Sequence, residues 1–185
     1  GHEAAGTVAE VGEGVTDFKP GDKVVLRPTD ACGDCPSCKR GEFNICPSLN
    51  FIGITTPGGF QGSWTVPAYL LHKLPDNVNM VHAALVEPLA VAAHDVRFGE
   101  VSSSDFCVVI GGGPIGMLEA FVCNEKGATV VVSQVHPSRI ALARELGFDV
   151  VNPVETDLVK YVFDRTGGDG ADVVFEVTGT QAGAE

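Results

Sequence analysis

The chain is short of positive charge, and that shortage removes two classes of partner at the outset. Lys and Arg number 12 against 24 Asp and Glu, a formal net charge of −12 over 185 residues. No block of lysine and arginine occurs, which argues against nucleic acid and anionic membrane surfaces as main partners. No apolar run reaches the length of a membrane span, and no basic-then-apolar signal segment opens the chain. A cytoplasmic protein is the expectation. Internal repeats and low-complexity segments are also lacking. So is an initiator methionine before Gly1-His2-Glu3, and Ala184-Glu185 follows directly on a strand-and-turn pattern. The ends read as those of a segment incomplete at both termini.

What is present is ample core material, 44% hydrophobic, punctuated by 23 Gly and 11 Pro. To about residue 80 the pattern is of short strands and turns. Thr7, Val8 and Val11 lead to a glycine turn, Lys19-Pro20-Gly21-Asp22 precedes Val24-Val25-Leu26, and Phe51–Ile54 and Ser63–Pro67 follow as further strand-like runs. A compact β-barrel or sandwich is expected from that spacing. Val81 to Val96 is helical in character, with a break expected at Pro88.

From residue 105 the texture changes. Phe106–Ile110 and Ala128–Ser133 are continuous apolar runs, as strands buried on both faces require. Helical segments at Ile115–Lys126, Pro137–Leu146 and about Asp157–Thr166 separate them from Val150-Val151 and from Asp172–Val177. Strand–helix alternation of this kind predicts a parallel α/β sheet.

Cys32, Cys35, Cys38 and Cys46 stand at C-x2-C-x2-C-x7-C in a turn-rich stretch. Their neighbours Asp34, Ser37, Lys39 and Arg40 are polar, unlike those of core cysteines. Clustered spacing without a secretory signal favours metal ligands over disulfides, and four thiolates fit a closed structural zinc site. Such a site braces a fold and leaves the chemistry to other residues.

Gly111-Gly112-Gly113-Pro114-Ile115-Gly116 fits G-x-G-x-x-G directly after a buried strand and before a helix. In that setting Gly111 permits a tight turn, Gly113 a close approach of a pyrophosphate, and Gly116 close packing of helix on strand. The helix N-terminus then faces the phosphates. The second strand should end in Asp or Glu to bind the adenosine ribose, but Gln134 stands there, with Arg139 five residues on. NAD is the favoured cofactor and NADP remains open.

Gly1-His2-Glu3 and Glu87-Pro88-Leu89 each set a possible metal ligand beside other chemistry. Spacing alone does not select them over His72, His82 or His94. Taken in order, however, Gly1-His2-Glu3-Ala4-Ala5-Gly6-Thr7-Val8, the four-cysteine loop, Lys73-Leu74-Pro75, Glu87-Pro88-Leu89-Ala90 and the Gly111–Gly116 loop resemble one family. It is the zinc-containing medium-chain dehydrogenase/reductase family, in its sorbitol, butanediol and threonine dehydrogenase branch.

The resemblance implies a GroES-like β-barrel catalytic domain over 1–98, lacking its N-terminal part. A Rossmann NAD(P)-binding domain over 99–185, lacking its C-terminal half, would follow. It implies that His2 is a ligand of a catalytic zinc, that Glu3 is a ligand or a close partner of one, that Glu87 binds that zinc directly or through its water, and that Cys32, Cys35, Cys38 and Cys46 hold a structural zinc. Gly111, Gly113, Pro114, Ile115 and Gly116 would bind the dinucleotide, Gln134 and Arg139 its ribose, and Val177-Thr178-Gly179 would lie beneath it. Cys107 and Cys123 match no ligand position and read as small buried hydrophobes.

The implied activity is zinc-dependent hydride transfer between a secondary alcohol (a polyol, vicinal diol or 3-hydroxy amino acid) and NAD(P). The substrate would be a small molecule and the whole protein a homo-oligomer, dimer or tetramer. The family's further cysteine ligand and later strands fall outside the chain, so the segment alone is expected to be inactive. Two other readings compete: a zinc-free medium-chain reductase, and a non-catalytic zinc-braced binding protein. The retained His2, Glu3 and cysteine loop count against the first, the acidic balance and glycine loop against the second.

Overall fold

The structure, a computed structural model, describes residues 1–184. The chain divides into two compact units, Gly1–Glu87 and Pro88–Glu185.

The first unit contains β1 (Ala5–Thr7), β2 (Lys23–Leu26), β3 (Thr29–Asp30), α1 (Pro36–Lys39), β4 (Asn50–Phe51), β5 (Leu71–Lys73) and α2 (Met80–Ala83). Strands β1, β2 and β5 form an antiparallel sheet with β2 in the centre, and β3 pairs with β4. Central β2 is the apolar run Val24-Val25-Leu26, all three buried. Leu26, Ile52 and Leu70 make the core, with Trp64, Val66 and Leu71 packed against them.

Two strand expectations fail for physical reasons. Ser63–Pro67 forms no strand. Trp64 and Val66 still pack on the core, but Pro67 has no N–H to give a ladder and starts the 3-10 turn Ala68–Leu70 instead. Strand β4 stops at Phe51 because Gly53 turns away at φ 86.

Helix α2 is capped by Asn79, whose side chain accepts from the N–H of Val81 at 2.8 Å. The helical stretch then breaks at Ala84-Leu85 rather than at Pro88, and resumes as α3 (Val86–Phe98). Pro88 is the third residue of α3. In that first turn no intrahelical acceptor awaits its missing N–H, so the ring is tolerated.

The second unit alternates strand and helix as expected. It runs β6 (Phe106–Ile110), α4 (Pro114–Glu125), β7 (Thr129–Ser133), α5 (Pro137–Glu145), β8 (Asp149–Val151), α6 (Leu158–Thr166), β9 (Val173–Glu176) and α7 (Gln181–Ala184). All pairings are parallel and the order is β8-β7-β6-β9. The chain therefore winds outward from β6 through β7 to β8, then returns to add β9 on the other side. That reversal at β6 and β9 is the switch point beside which doubly wound sheets bind ligands.

Period-two alternation splits β6 between two cores. Cys107 and Val109 face α4 and α5 with Met117, Ala120, Cys123 and Ala143, whereas Phe106 and Val108 pack with Val162 of α6. Cys107 and Cys123 are both fully buried, as small apolar fillers are. Among the described residues, no helix is long and apolar enough to cross a membrane.

Candidate metal and dinucleotide sites

The cysteine lobe is built by α1 and its flanks. Cys35 caps α1, its sulfur accepting from the N–H of Cys38 at 3.4 Å, and Pro36 occupies the first helical position. Gly33 and Gly41, at φ 75 and 81, turn the chain on either side. The four sulfurs close into one cluster. Sγ–Sγ separations are 4.0 Å for Cys32–Cys38, 3.4 Å for Cys35–Cys38, 3.9 Å for Cys35–Cys46 and 3.6 Å for Cys46–Cys32.

A tetrahedral zinc with sulfurs at about 2.3 Å needs them about 3.8 Å apart. A disulfide needs about 2.05 Å, and all four thiols are free. The donor set fits zinc. The N–H groups of Asp34 and Cys35 turned toward Cys32 draw its thiol down to about 6, favouring thiolate. Burial instead pushes the Cys38 thiol up, to about 12.

His2, Glu3 and Glu87 come together although 84 positions separate Glu3 from Glu87 in the sequence. One ligand atom from each lies within 4.8 Å of the others. The His2 ring meets Phe51 edge-on, centroids 5.5 Å apart at 89°. Its Nδ1 is buried and has no hydrogen-bond partner among the described residues. A buried, unpaired ring nitrogen is costly unless something accepts its lone pair or proton, and a divalent metal between the imidazole and two carboxylates does so. Burial pushes the Glu87 carboxyl up, the His2 ring pulls it down and Glu3 pushes it up again.

Sequence reasoning missed what holds His2 in place. A Cβ at Gly53 would lie 2.4 Å from the carbonyl carbon of Gly1 and 2.5 Å from the nitrogen of His2. A Cβ at Gly58 would lie 2.3 Å from the Gly1 oxygen, and the Gly59 N–H donates to that same oxygen at 2.7 Å. Three glycines thus seat the backbone that carries the imidazole. The only hint in the sequence is their density in Gly53–Gly59.

The glycine loop joins β6 to α4 as the motif demands. Gly111 sits at φ 111, and a Cβ there would crowd Thr178, 3.1 Å from its Cγ2. At Gly116 a Cβ would lie 1.9 Å from the Gly111 oxygen and 2.9 Å from Cγ2 of Val177. No side chain caps α4 at Gly113, which leaves first-turn N–H groups for an anion. Pro114 and Ile115 open the helix. Around the loop lie Gln134 at the end of β7, Arg139 in α5 and the Val177-Thr178-Gly179 turn after β9. Thr178 donates its N–H to Glu176 at 2.8 Å. The donor arrangement and the room secured by glycine fit a dinucleotide.

Comparison with known proteins agrees with this geometry. Residues 1–76 match the alcohol dehydrogenase GroES-like domain, and residues 114–185 match the zinc-binding dehydrogenase domain. The chain is 55% identical over 179 residues to 2-dehydro-3-deoxy-L-galactonate 5-dehydrogenase of Pseudoalteromonas atlantica, covering 97% of this chain and 52% of that protein. It is 39% identical over 187 residues to L-threonine 3-dehydrogenase of Pyrococcus furiosus, covering 100% and 53%. A solved structure described as a zinc-binding dehydrogenase of Sinorhizobium meliloti, bound to NADP, superposes with a TM-score of 0.91 at 34% identity, covering 100% of this chain and 55% of that one. The chain spans about half the length of the curated relatives it matches. It belongs to the zinc-containing medium-chain dehydrogenase/reductase family. Its first unit carries the GroES-like barrel elements and its second the Rossmann sheet.

Proposed function

We propose that the whole protein is a zinc-dependent oxidoreductase that moves a hydride between a secondary alcohol and NAD(P). Residues 1–98 serve as its GroES-like catalytic part and 99–185 as its dinucleotide-binding part. The observation that carries this reading is the convergence of His2, Glu3 and Glu87, together with a His2 Nδ1 that is buried and has no hydrogen-bond partner among the described residues. The relatives' names share a secondary alcohol, and one adds a sugar acid, so sugar acids join polyols, vicinal diols and 3-hydroxy amino acids as candidates. A small-molecule substrate, a homo-oligomer and a cytoplasmic location complete the proposal.

In this reading His2, Glu3 and Glu87 hold the catalytic zinc, which when bound supplies a Lewis acid that lowers the alcohol's pKa. Glu87, whose partial burial makes its carboxyl a better proton acceptor than an exposed one, helps position the substrate. Cys32, Cys35, Cys38 and Cys46 hold the bracing zinc. Gly111, Gly113, Pro114, Ile115 and Gly116 receive the pyrophosphate, Gln134 and Arg139 the adenosine ribose, and Val177, Thr178 and Gly179 support the cofactor from below.

The test is metal analysis of the whole protein together with a substrate panel run with NAD and NADP. Two zincs per subunit, one of them lost in His2→Ala along with the activity, is the expected result. A single zinc that His2→Ala leaves in place would sink the proposal.

A further inference from the structure

The adenosine end of the dinucleotide site differs from the usual acidic one in a way that the side-chain geometry makes specific. Gln134 is buried at 6% exposure, just past β7. Its Oε1 accepts from the N–H groups of Val135 and His136, both at 2.9 Å. Two backbone donors can be answered only by the oxygen, so the orientation of the carboxamide is fixed. The other end, Nε2, is the atom turned to the glycine loop, 3.2 Å from where a Cβ at Gly112 would stand. A carboxylate at this position accepts hydrogen bonds from ribose hydroxyls and repels a phosphate. Gln134 does the reverse, presenting an N–H donor and no charge.

Its surroundings add donors and positive charge. Arg139 Nη1 lies 3.8 Å from where a Cβ at Gly113 would stand, on the same loop. Ser138, whose hydroxyl is 3.0 Å from His136 Nδ1, stands in the first turn of α5. From Val135 through Arg144 the chain has no carboxylate.

We propose that Gln134 and Arg139 select a 2′-phosphorylated adenosine, making NADP rather than NAD the preferred cofactor. The inference rests on the dinucleotide reading above and chooses NADP where the sequence favoured NAD and left NADP open. Gln134 Nε2 offers a neutral donor and the Arg139 guanidinium a charged one to a phosphate dianion, whose oxygens a guanidinium matches well.

The experiment is calorimetric titration of the chain with 2′,5′-ADP and with 5′-AMP, probes that differ only in the 2′-phosphate. Tighter binding of 2′,5′-ADP by roughly tenfold or more is expected, shrinking as salt is raised. Gln134→Glu keeps an oxygen for the Val135 and His136 N–H groups and should bring the ratio to one or below. Arg139→Gln, at an exposed position, should weaken 2′,5′-ADP more than 5′-AMP. Equal or tighter binding of 5′-AMP by the unaltered chain overturns the inference while leaving the dinucleotide reading intact. So does a ratio that Gln134→Glu leaves unmoved. If neither nucleotide binds, the dinucleotide reading itself falls and takes the inference with it.

Discussion

Gly53 and Gly1 approach so closely that a Cβ on the first would stand 2.4 Å from the carbonyl carbon of the second. Gly53 also holds φ at 86, where other residues are strained by about 1–3 kcal/mol. Both facts act on His2, the next residue. Gly53→Ala should therefore lower the melting temperature and reduce zinc bound at His2, Glu3 and Glu87. Gly62→Ala is the control, since a Cβ there meets nothing within 4 Å and its φ is unstrained. Equal metal content and equal melting in the two variants would show that the glycine packing does not seat His2.

The cysteine lobe has little apolar support of its own. Of the four cysteines only Cys38 and Cys46 are buried, and Phe43 and Ile45 beside them are exposed. On the proposed function a zinc held there supplies much of the lobe's stability, because binding free energy in such a site is folding free energy. Cys46→Ser should lose one zinc equivalent and make the segment around residues 32–46 sensitive to proteolysis, and a chelator should do the same to the unaltered chain. Unchanged zinc content in Cys46→Ser would count against the four-sulfur site.

How far the residues foretold the structure depended on what each stretch buries. Strands β6 and β7 pack on both faces, so their apolar runs gave them away, and helices α5 and α6 carry their stop signals in Gly147 and Gly167. The first unit was harder. Trp64 and Val66 reach the core from irregular backbone, which a strand pattern imitates. The proposed metal ligands were the least readable feature. His2 and Glu87 meet only through tertiary folding, and no periodicity links them, so family resemblance pointed to them where spacing did not. Gln134 was visible as a departure from an acidic position. Its donor orientation was not, because it depends on the N–H groups of Val135 and His136.

Gly116 gives the sharpest steric test in the second unit. A Cβ there would stand 1.9 Å from the Gly111 oxygen, inside the loop that faces the switch point of the sheet. Gly116→Ala must push α4 away from β6, at a cost of about 2 kcal/mol or more. Binding of 5′-AMP should be lost while zinc at the cysteine lobe stays. Retained nucleotide affinity would mean that this loop is not the phosphate site.

Glu119 is a carboxyl in the wrong solvent. It lies on α4 at 1% exposure, beside a cavity of about 330 Å³ that Asp95, Glu176 and Phe175 also line, and its Oε2 has no partner among the described residues. Burial, and then the charge and hydrogen bond of Asp95, push its carboxyl from 4.5 up to about 7. The folded chain therefore holds this proton more tightly than the unfolded chain does. Its contribution to stability is fully present below about pH 4.5 and is lost as pH rises through about 7. Glu119→Gln keeps a donor for Asp95 without the titration. The variant should gain stability over the unaltered chain as pH rises, on the order of 1–3 kcal/mol by pH 8, and show no such gain at pH 4. Denaturant melts at the two pH values measure that difference, and a stability gap that stays constant between them would mean that Glu119 does not titrate in this window.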